Sequence, residues 1–364
     1  TFAGLVDAAI IDGVNFKVNG GQGSDGQVLT STGSGVAWEA AASGGVTFKT
    51  FGTNSLMVGD DATGTIDAAN NNTGLGVDIF TALTTGDSNS ALGTYSLELL
   101  TTGTGNSAVG YKSLEAVTTG GYNTALGWVA GYKITTGTNN VCIGSTAGDA
   151  ITEGAYNVAV GDNALTSNTT ADNNTAVGAG ALLSNTTASN GTAVGYRSLY
   201  ANTTGTVNTA VGENSLPANT TGSANSAFGV GSLYVNTTGN YNTAIGRSAL
   251  VANTSASYNT AVGYNSLDSN TTGAENVAVG VNALGSNTTA ADNTAVGNSS
   301  LATNTTGTNN AAFGRSALYA NTTGASNVAV GYEALNDNTS GSHNTALGIF
   351  ALAKATTGVS NTAI

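Results

Sequence analysis

The sequence predicts an all-β chain that forms a parallel β-solenoid with 17-residue coils. A glycine recurs with a 17-residue period from Gly59 to Gly348, without one insertion or deletion. From Gly76 onward a large apolar residue precedes each of these glycines, and most units also contain the run N-T-T-G. A period this short and this strict is typical of stacked units whose neighbours match position by position.

We number each coil from its glycine, which is position 0, and call the residues at one position in successive coils a column. Position −1 is Val, Leu, Ile or Phe, position −2 is usually Ala, and position −3 is a short or β-branched residue. This composition favours a short strand that ends at the glycine. Position +4 is a second apolar anchor, usually Leu, which Gly131 and Gly148 replace in two adjacent coils.

These two apolar segments predict two short strands and two turns in each coil. Strands of adjacent coils would pair in parallel about 4.8 Å apart and build a rod of roughly 80 Å. A helical repeat is excluded because most units carry the second glycine of N-T-T-G, and because no segment offers two turns of helical periodicity.

Two columns of asparagine support the stacked arrangement. Position −4 is Asn from Asn89 to Asn361, with Gly191 as the exception, and position +7 is Asn from Asn168 to Asn338. Stacked amides can hydrogen-bond along a solenoid, and Asn tolerates the left-handed backbone of sharp corners. Position +7 holds Leu, Val or Ile in earlier coils, such as Leu83, so we expect this column to face inward.

Composition and charge exclude several partners. Only 8% of the residues are charged, the formal net charge is −13, and the eight Lys and Arg residues form no cluster. Nucleic acid and anionic lipid are therefore not expected partners. No run of 18 apolar residues occurs, so we expect no insertion into a membrane.

The predicted strand also indicates self-association. Adjacent strand residues point to opposite sides, and positions −1 and −2 are both apolar, so we expect both faces to be covered. One face would be the core of the coil. The other, a face rich in alanine and glycine, would pack against further copies of the chain, because a lone chain would expose it along its whole length. The sequence therefore predicts a homo-oligomer.

The chain divides into three predicted regions. Residues 1–52 lie outside the register and form an N-terminal attachment region, in which the segments 27–31 and 36–38 flank a turn at 32–35 and predict a β-hairpin. Residues 53–76 are imperfect repeats, as expected of capping coils. Residues 77–364 are the regular solenoid, which we interpret as truncated in mid-repeat because Ile364 stands one position before its next glycine.

No catalytic, cofactor-binding or metal-binding residue is predicted, and we do not expect an enzyme. His343 is the only histidine and occupies a variable position, where a solvated surface residue is expected. Asp60-Asp61 is the only adjacent acidic pair, whereas metal sites need clustered His, Cys or carboxylates.

Two further candidates have structural interpretations. Glu98 and Glu115 share a column, and paired carboxylates cut sugars in solenoid depolymerases, but we interpret so short a column as chance. Cys142 takes the small-residue slot at position −2 and is predicted to be buried packing rather than a nucleophile.

The repeats resemble a known family. The stretch G-S-D-G-Q-V-L-T-S-T-G-S-G-V-A-W, from Gly23 to Trp38, followed by N-T-A-V-G-Y-x-S-L-x-x-N-T-T-G units, resembles tail-fibre proteins of bacteriophages and tail-fibre-domain proteins of some bacteria. N-T-A-V-G is also similar to the N-S-V-A-I-G motif of trimeric autotransporter adhesin heads, whose coils are shorter than those of this chain. The resemblance implies an elongated homotrimer in the virion, bound at its N-terminal end to tail or baseplate proteins.

Three functions follow as hypotheses. The first is a structural fibre shaft that links the virion to a host-receptor-binding tip. The alternative is an extracellular or cell-surface adhesin whose repeat surface binds glycans through tyrosines at position +1, namely Tyr111, Tyr196, Tyr264 and Tyr332. An ice-binding solenoid is the third, and it is weaker because paired threonines such as Thr271 and Thr272 would point opposite ways on an extended chain.

Overall fold

The computed structural model describes residues 10–12, 15–18, 21–22, 27–31, 36–40, 48–51, 54–59 and 68–364. The chain divides into two compact units, Thr1–Phe48 and Lys49–Ile364. All regular secondary structure of the described residues is β-strand.

The first unit contains five short antiparallel strands. Strands β1 (Ile10–Asp12), β2 (Asn15–Val18) and β3 (Gly21–Gln22) form one sheet, and β4 (Gln27–Ser31) pairs with β5 (Val36–Ala40). The predicted hairpin strands are confirmed, and the second strand extends two residues beyond the prediction. The predicted turn at 32–35 lies outside the described residues.

The second unit is a single parallel ladder with one strand in each coil. Each strand pairs with the strands of the preceding and the following coil at the same position of the repeat, as in Ala108 with Ala125. The predicted parallel β-solenoid with 17-residue coils is therefore confirmed. A short strand, β6 (Phe48–Phe51), precedes the ladder. The strands of the ladder are β7 (Ser55–Gly59), β8 (Thr73–Gly76), β9 (Ser90–Leu92), β10 (Ser107–Val109), β11 (Thr124–Leu126), β12 (Val141–Ile143), β13 (Val158–Val160), β14 (Thr175–Val177), β15 (Thr192–Val194), β16 (Thr209–Val211), β17 (Ser226–Phe228), β18 (Thr243–Ile245), β19 (Thr260–Val262), β20 (Val277–Val279), β21 (Thr294–Val296), β22 (Ala311–Phe313), β23 (Val328–Val330), β24 (Thr345–Leu347) and β25 (Thr362–Ala363).

The glycine column is required by both backbone conformation and close approach. From Gly76 to Gly348 these glycines have φ between 129 and 153°, which residues with side chains rarely adopt. A Cβ on Gly195 would lie 2.6 Å from the carbonyl oxygen of Gly212 in the next coil. Any side chain at position 0 would therefore push adjacent coils apart.

The prediction of a second strand in each coil is wrong. The leucines at position +4 lie in a turn with φ between 49 and 54°, a left-handed conformation that costs about 1–2 kcal/mol per residue. This turn points the side chain into the core, where Leu165 is fully buried, and burial of a leucine contributes roughly 1.5–3 kcal/mol. The same turn lets the N–H of Leu165 donate to the carbonyl of Ala181 in the next coil at 3.0 Å.

The alanine column faces the core, so the prediction of an alanine-rich outer face is wrong. Ala108 and its counterparts at position −2 are buried, whereas the larger residues at position −1 point outward. Position −2 faces positions +3 and +4 inside the coil: where these are Ile79 and Phe80, position −2 is Gly74, and a Cβ there would collide with Ile79 Cδ1 and approach the Phe80 ring to 3.1 Å. Only a small side chain fits between the strand and the position +4 anchor.

Both asparagine columns are buried amide ladders, as the sequence predicted for position +7. The backbone N–H and Nδ2 of Asn123 donate to Asn106 Oδ1 at 3.0 and 3.1 Å, and Nδ2 also donates to the carbonyl of Gly137 at 2.9 Å. In the second ladder, Asn219 Nδ2 donates to Asn202 Oδ1 at 2.8 Å. A buried amide without partners costs about 1–3 kcal/mol, so each Asn depends on the same residue in the neighbouring coil.

We expect Gly191→Asn to stabilise the solenoid by about 1 kcal/mol. The Gly191 N–H donates to Asn174 Oδ1 at 2.8 Å, but glycine offers no side-chain oxygen to Asn208 in the next coil. The new amide would restore the ladder, and thermal or denaturant melting would measure the gain. Gly191→Ala is the control, because it adds the same Cβ without the amide. An Asn variant no more stable than the Ala variant would contradict the ladder account.

The two coils with glycine at position +4 are repacked as a pair. Gly131 and Gly148 keep the left-handed backbone, with φ of 62 and 59°. The space of the missing leucines is filled by neighbours: a Cβ on Gly148 would lie 2.7 Å from Cys142 Sγ and 2.9 Å from Ile151 Cδ1. The larger residue at position 142 thus fits because position +4 is empty beside it.

We expect Gly148→Ala to lower stability by about 1–3 kcal/mol, because it overpacks the core against Cys142. Gly231→Ala is the matched control, since Gly231 also has a positive φ of 66° but a Cβ there would meet nothing within 4 Å. Denaturant melting would compare the two variants. Adding Cys142→Ala should recover part of the loss in the first variant and none in the second. Equal losses in both variants would show that backbone strain alone is responsible.

Candidate functional surface

The structure does not bring the sequence candidates together into a catalytic site. Within the described part of the chain, no group of three or more His, Cys, Asp or Glu residues is arranged to hold a metal ion. Asp60 and Asp61 lie outside the described residues. The same described part contains no helix long and apolar enough to cross a membrane.

Cys142 is a core residue on β12. Its thiol is buried between the alanines of adjacent coils, and burial, followed by the nearby Asp149, raises the pKa of Cys142 to about 12. The thiolate is the reactive form of cysteine, so this thiol is a poor nucleophile at neutral pH. Its position is the one that the sequence predicted.

His343 lies at position +12, exposed to solvent. Its backbone has φ of 60°, and its N–H donates to the carbonyl of Ala325 at 3.0 Å. The imidazole has no hydrogen-bond or ion-pair partner among the described residues, so nothing there orients it as a general base.

Glu98 and Glu115 lie beside a cation that is surrounded by aromatic rings. Lys112 Nζ is 2.9 Å from Glu115 Oε2 and lies over the rings of Tyr95, Tyr111 and Tyr132 at 5.2, 5.7 and 5.5 Å from their centroids. We call these residues, with Glu98, the Lys112 cluster. Burial raises the pKa of Glu98, and Glu115 and Asp78 raise it further, while Lys112 opposes them. Glu115 is held by the lysine, so the cluster has the character of a structural contact between coils.

We expect Lys112→Met to lower the denaturation midpoint more than Lys354→Met. The first variant loses an ion pair and three cation–π contacts, which stabilise when the cation lies within about 6 Å of the ring. Lys354 forms only an ion pair with Asp337 at 2.8 Å, and its side chain is 89% exposed, so its loss should matter little. Melting of the two variants side by side would measure the difference. Equal midpoints would mean that the aromatic contacts contribute nothing.

The four candidate tyrosines at position +1 are half exposed but do not form one platform. They are separated by four or five coils, which is roughly 20 Å at the spacing of stacked strands. Cations already lie over three of their rings, in the pairs Lys112 with Tyr111, Arg197 with Tyr196, and Arg315 with Tyr332. Tyr264 has no such contact with any described cation.

A second tyrosine column shares position +12 with His343, where a solvated surface residue was expected, but stacking between its members was not predicted. Its four members are 57–67% exposed, and they are Tyr122, Tyr156, Tyr241 and Tyr258. Tyr241 and Tyr258 occupy adjacent coils and stack with their ring centroids 5.1 Å apart and their planes at 6°. The 17-residue spacing of these two tyrosines was the signal that could have found the stack.

The threonine pairs split between an internal ladder and the surface. Thr220 Oγ1, at position +8, donates to the carbonyl of Thr237 in the next coil at 3.1 Å, and the same bond recurs along the solenoid. The next column, at position +9, is exposed at most threonines, such as Thr221. The hydroxyl donors of the first column are therefore engaged within the protein.

The outward side of the strands forms a surface that we call the outer strand face, made of positions −3 and −1 in the coils of β8–β25. Position −1 is apolar in all 18 coils, and position −3 is Thr or Ser in 13 of them. Neither column contains a charged residue. The leucine and phenylalanine members of position −1 are 40–52% exposed.

No protein-family model, curated protein or solved structure matches this chain.

Proposed function

We propose that this chain is the shaft of a bacteriophage tail fibre, which links the virion to a host-receptor-binding tip. The observation that carries the proposal is the unbroken strand ladder from β8 to β25, in which each strand pairs in parallel with the strands of the neighbouring coils. Backbone pairs, the two asparagine ladders and the threonine column all run from coil to coil. A structure of this kind holds its two ends at a fixed separation.

The same bonds explain how a shaft would carry load. Bending a stack lengthens the hydrogen bonds on its convex side, and buried amides have no water to replace a lost partner. Bending the contact between two adjacent coils therefore weakens hydrogen bonds of the strands, of both asparagine ladders and of the threonine column at the same time. The sparse charge also limits adhesion to anionic cell surfaces along the shaft.

The resemblance of the N-terminal stretch and of the N-T-A-V-G units to phage tail fibres supports the remaining details. In this proposal the shaft is a homo-oligomer, a trimer by that resemblance, in the virion. Tail or baseplate proteins hold its N-terminal end. The shaft itself needs no cofactor and performs no catalysis.

Antibodies against residues 77–364 provide the test. Gold-labelled antibodies should bind at the tails of virus particles that carry this gene, and they should block adsorption to the host. Absence of the chain from purified particles would reject the proposal.

An adhesin that binds cell-surface glycans is the alternative, favoured by the stacked pair Tyr241 and Tyr258. A sugar ring stacks on a free aromatic face, and each ring of this pair keeps one face away from its partner. Labelling of the surface of uninfected cells, together with glycan binding that is lost in Tyr241→Ala and Tyr258→Ala, would support this alternative instead.

We expect a one-residue insertion between Thr204 and Gly205 to disrupt the solenoid locally and to lower its melting midpoint. The insertion shifts every later column against its partner, and a one-residue slip turns strand side chains to the wrong face. Circular dichroism melting would measure the loss. Insertion of a complete coil, a duplicate of residues 196–212, is the control, because it keeps the register and should lengthen the rod by about 4.8 Å. A one-residue variant that melts like the parent would contradict the registered stack.

A further inference from the structure

We infer that the outer strand face is the surface through which copies of this chain pack against one another. The inference rests on the proposed function, in which the shaft is a homo-oligomer, and it identifies the interface. The sequence analysis had assigned this role to the alanine column, which the structure buries in the core. We assign this role instead to the columns at positions −3 and −1, which face outward.

The two columns of this face differ in a way that strand formation does not explain. Both lie on the same side of the same strands, so both meet the same backbone preference for β-branched residues. Position −3 accepts hydroxyl residues in most coils, but position −1 has none in any of the 18 coils. Threonine would suit an exposed strand equally well and would leave less hydrocarbon in water. The strict apolar column therefore indicates that something apolar covers it.

The distribution of charge points to the same face. Positions +1, +2, +5, +6, +9, +11 and +12 each carry a charged residue in at least one coil, as at Asp162, Lys112, Glu98, Lys133, Glu153, Asp172 and Glu275. Positions −3 and −1 carry none from 73 to 364. The centres of protein interfaces are depleted of charge and enriched in aromatic residues. Exposed tyrosines occur in the chain two residues before position −3, at position +12 of the preceding coil, and two residues after position −1, at position +1.

The size of the face is sufficient for a stable interface. The 18 strands β8–β25 stack at intervals of about 4.8 Å and each spans about 10 Å, so the face covers roughly 800 Å² per chain. A standard specific interface buries about 800 Å² per partner.

The occupant that fits best is a second copy of the chain. A partner must present apolar groups at the spacing of the coils, without charge, over the whole length of the ladder. Another copy, aligned in parallel, presents the same two columns at the same spacing, so every row meets an equivalent row. The exposed phenylalanines Phe228 and Phe313 interrupt the uniform Val, Leu and Ile column, and they would favour one register over shifts by whole coils.

The test places charges on the face of the full chain. In the first variant, Val177→Lys, Val211→Lys and Val262→Lys change three well-separated rows of position −1. The control carries Thr187→Lys, Thr221→Lys and Thr272→Lys, which add the same charges to the same coils at position +9. Molar mass would be measured by light scattering across a concentration series, and circular dichroism melting of dilute samples would check folding.

The parent and the control should remain oligomers, and the position −1 variant should run as a single 35.5 kDa chain, with association at least about 100-fold weaker because like charges meet in the interface. If the lysine variant does not fold, Val211→Cys gives a second reading: it should cross-link chains on oxidation, and Thr221→Cys should not. A position −1 variant that keeps the parental mass, or cross-linking at position 221 alone, would overturn the inference.

Failure of the inference and failure of the proposed function remain distinguishable. The parent chain could be a monomer at all concentrations while antibodies still locate it on virus tails. This result would overturn the inferred interface and would leave the proposed shaft function standing. A monomer that binds glycans, and loses them when position −1 is charged, would make the face a glycan site and would overturn the inference.

Discussion

The central constraint in this protein is that each coil must offer the next one the same hydrogen-bonding groups at the same places. The asparagine amides make the constraint strict, because they are buried and their main partners are the equivalent amides one coil away. The glycine column adds a steric requirement, since its backbone lies against the next glycine. An insertion in one coil would move these groups away from their partners in the next coil. The repeat therefore keeps its length and its residues, whereas a surface loop would accept changes.

Packing inside the coil depends on a match between a small and a large residue. Alanine on the strand faces the left-handed leucine of the turn, and the pair fills the narrow interior. Two exceptions occur as compensating sets: Gly74 accompanies Ile79 and Phe80, and Cys142 accompanies Gly148. At Gly131 the side chains of Leu114 and Ile134 fill the space instead, as expected of close-packed interiors.

The same packing determines what the solenoid shows to its surroundings. Because the strand places its alanine inside, the residues at positions −3 and −1 must lie outside, and the result is an uncharged face with one apolar column. Three cations, Lys112, Arg197 and Arg315, lie over tyrosine rings, where they cover aromatic surface that would otherwise be free to bind a ligand. This distribution is compatible with the proposed shaft and with the proposed packing of its copies along one face.

The sequence alone determined the coil length, the parallel stacking and the inward asparagine ladder, because a strict period fixes which residues meet in neighbouring coils. It also placed Cys142 in the core and the hairpin strands at 27–31 and 36–38. Only the tertiary structure decided that alanine faces inward, that the leucine column is a turn and that cations cover three of the four tyrosines at position +1. Alternation along a strand separates two faces but does not say which one is buried. The space left beside the position +4 side chain determines which face is buried. The distance between the cations and the tyrosine rings depends on how the chain folds around each coil, which the sequence does not give.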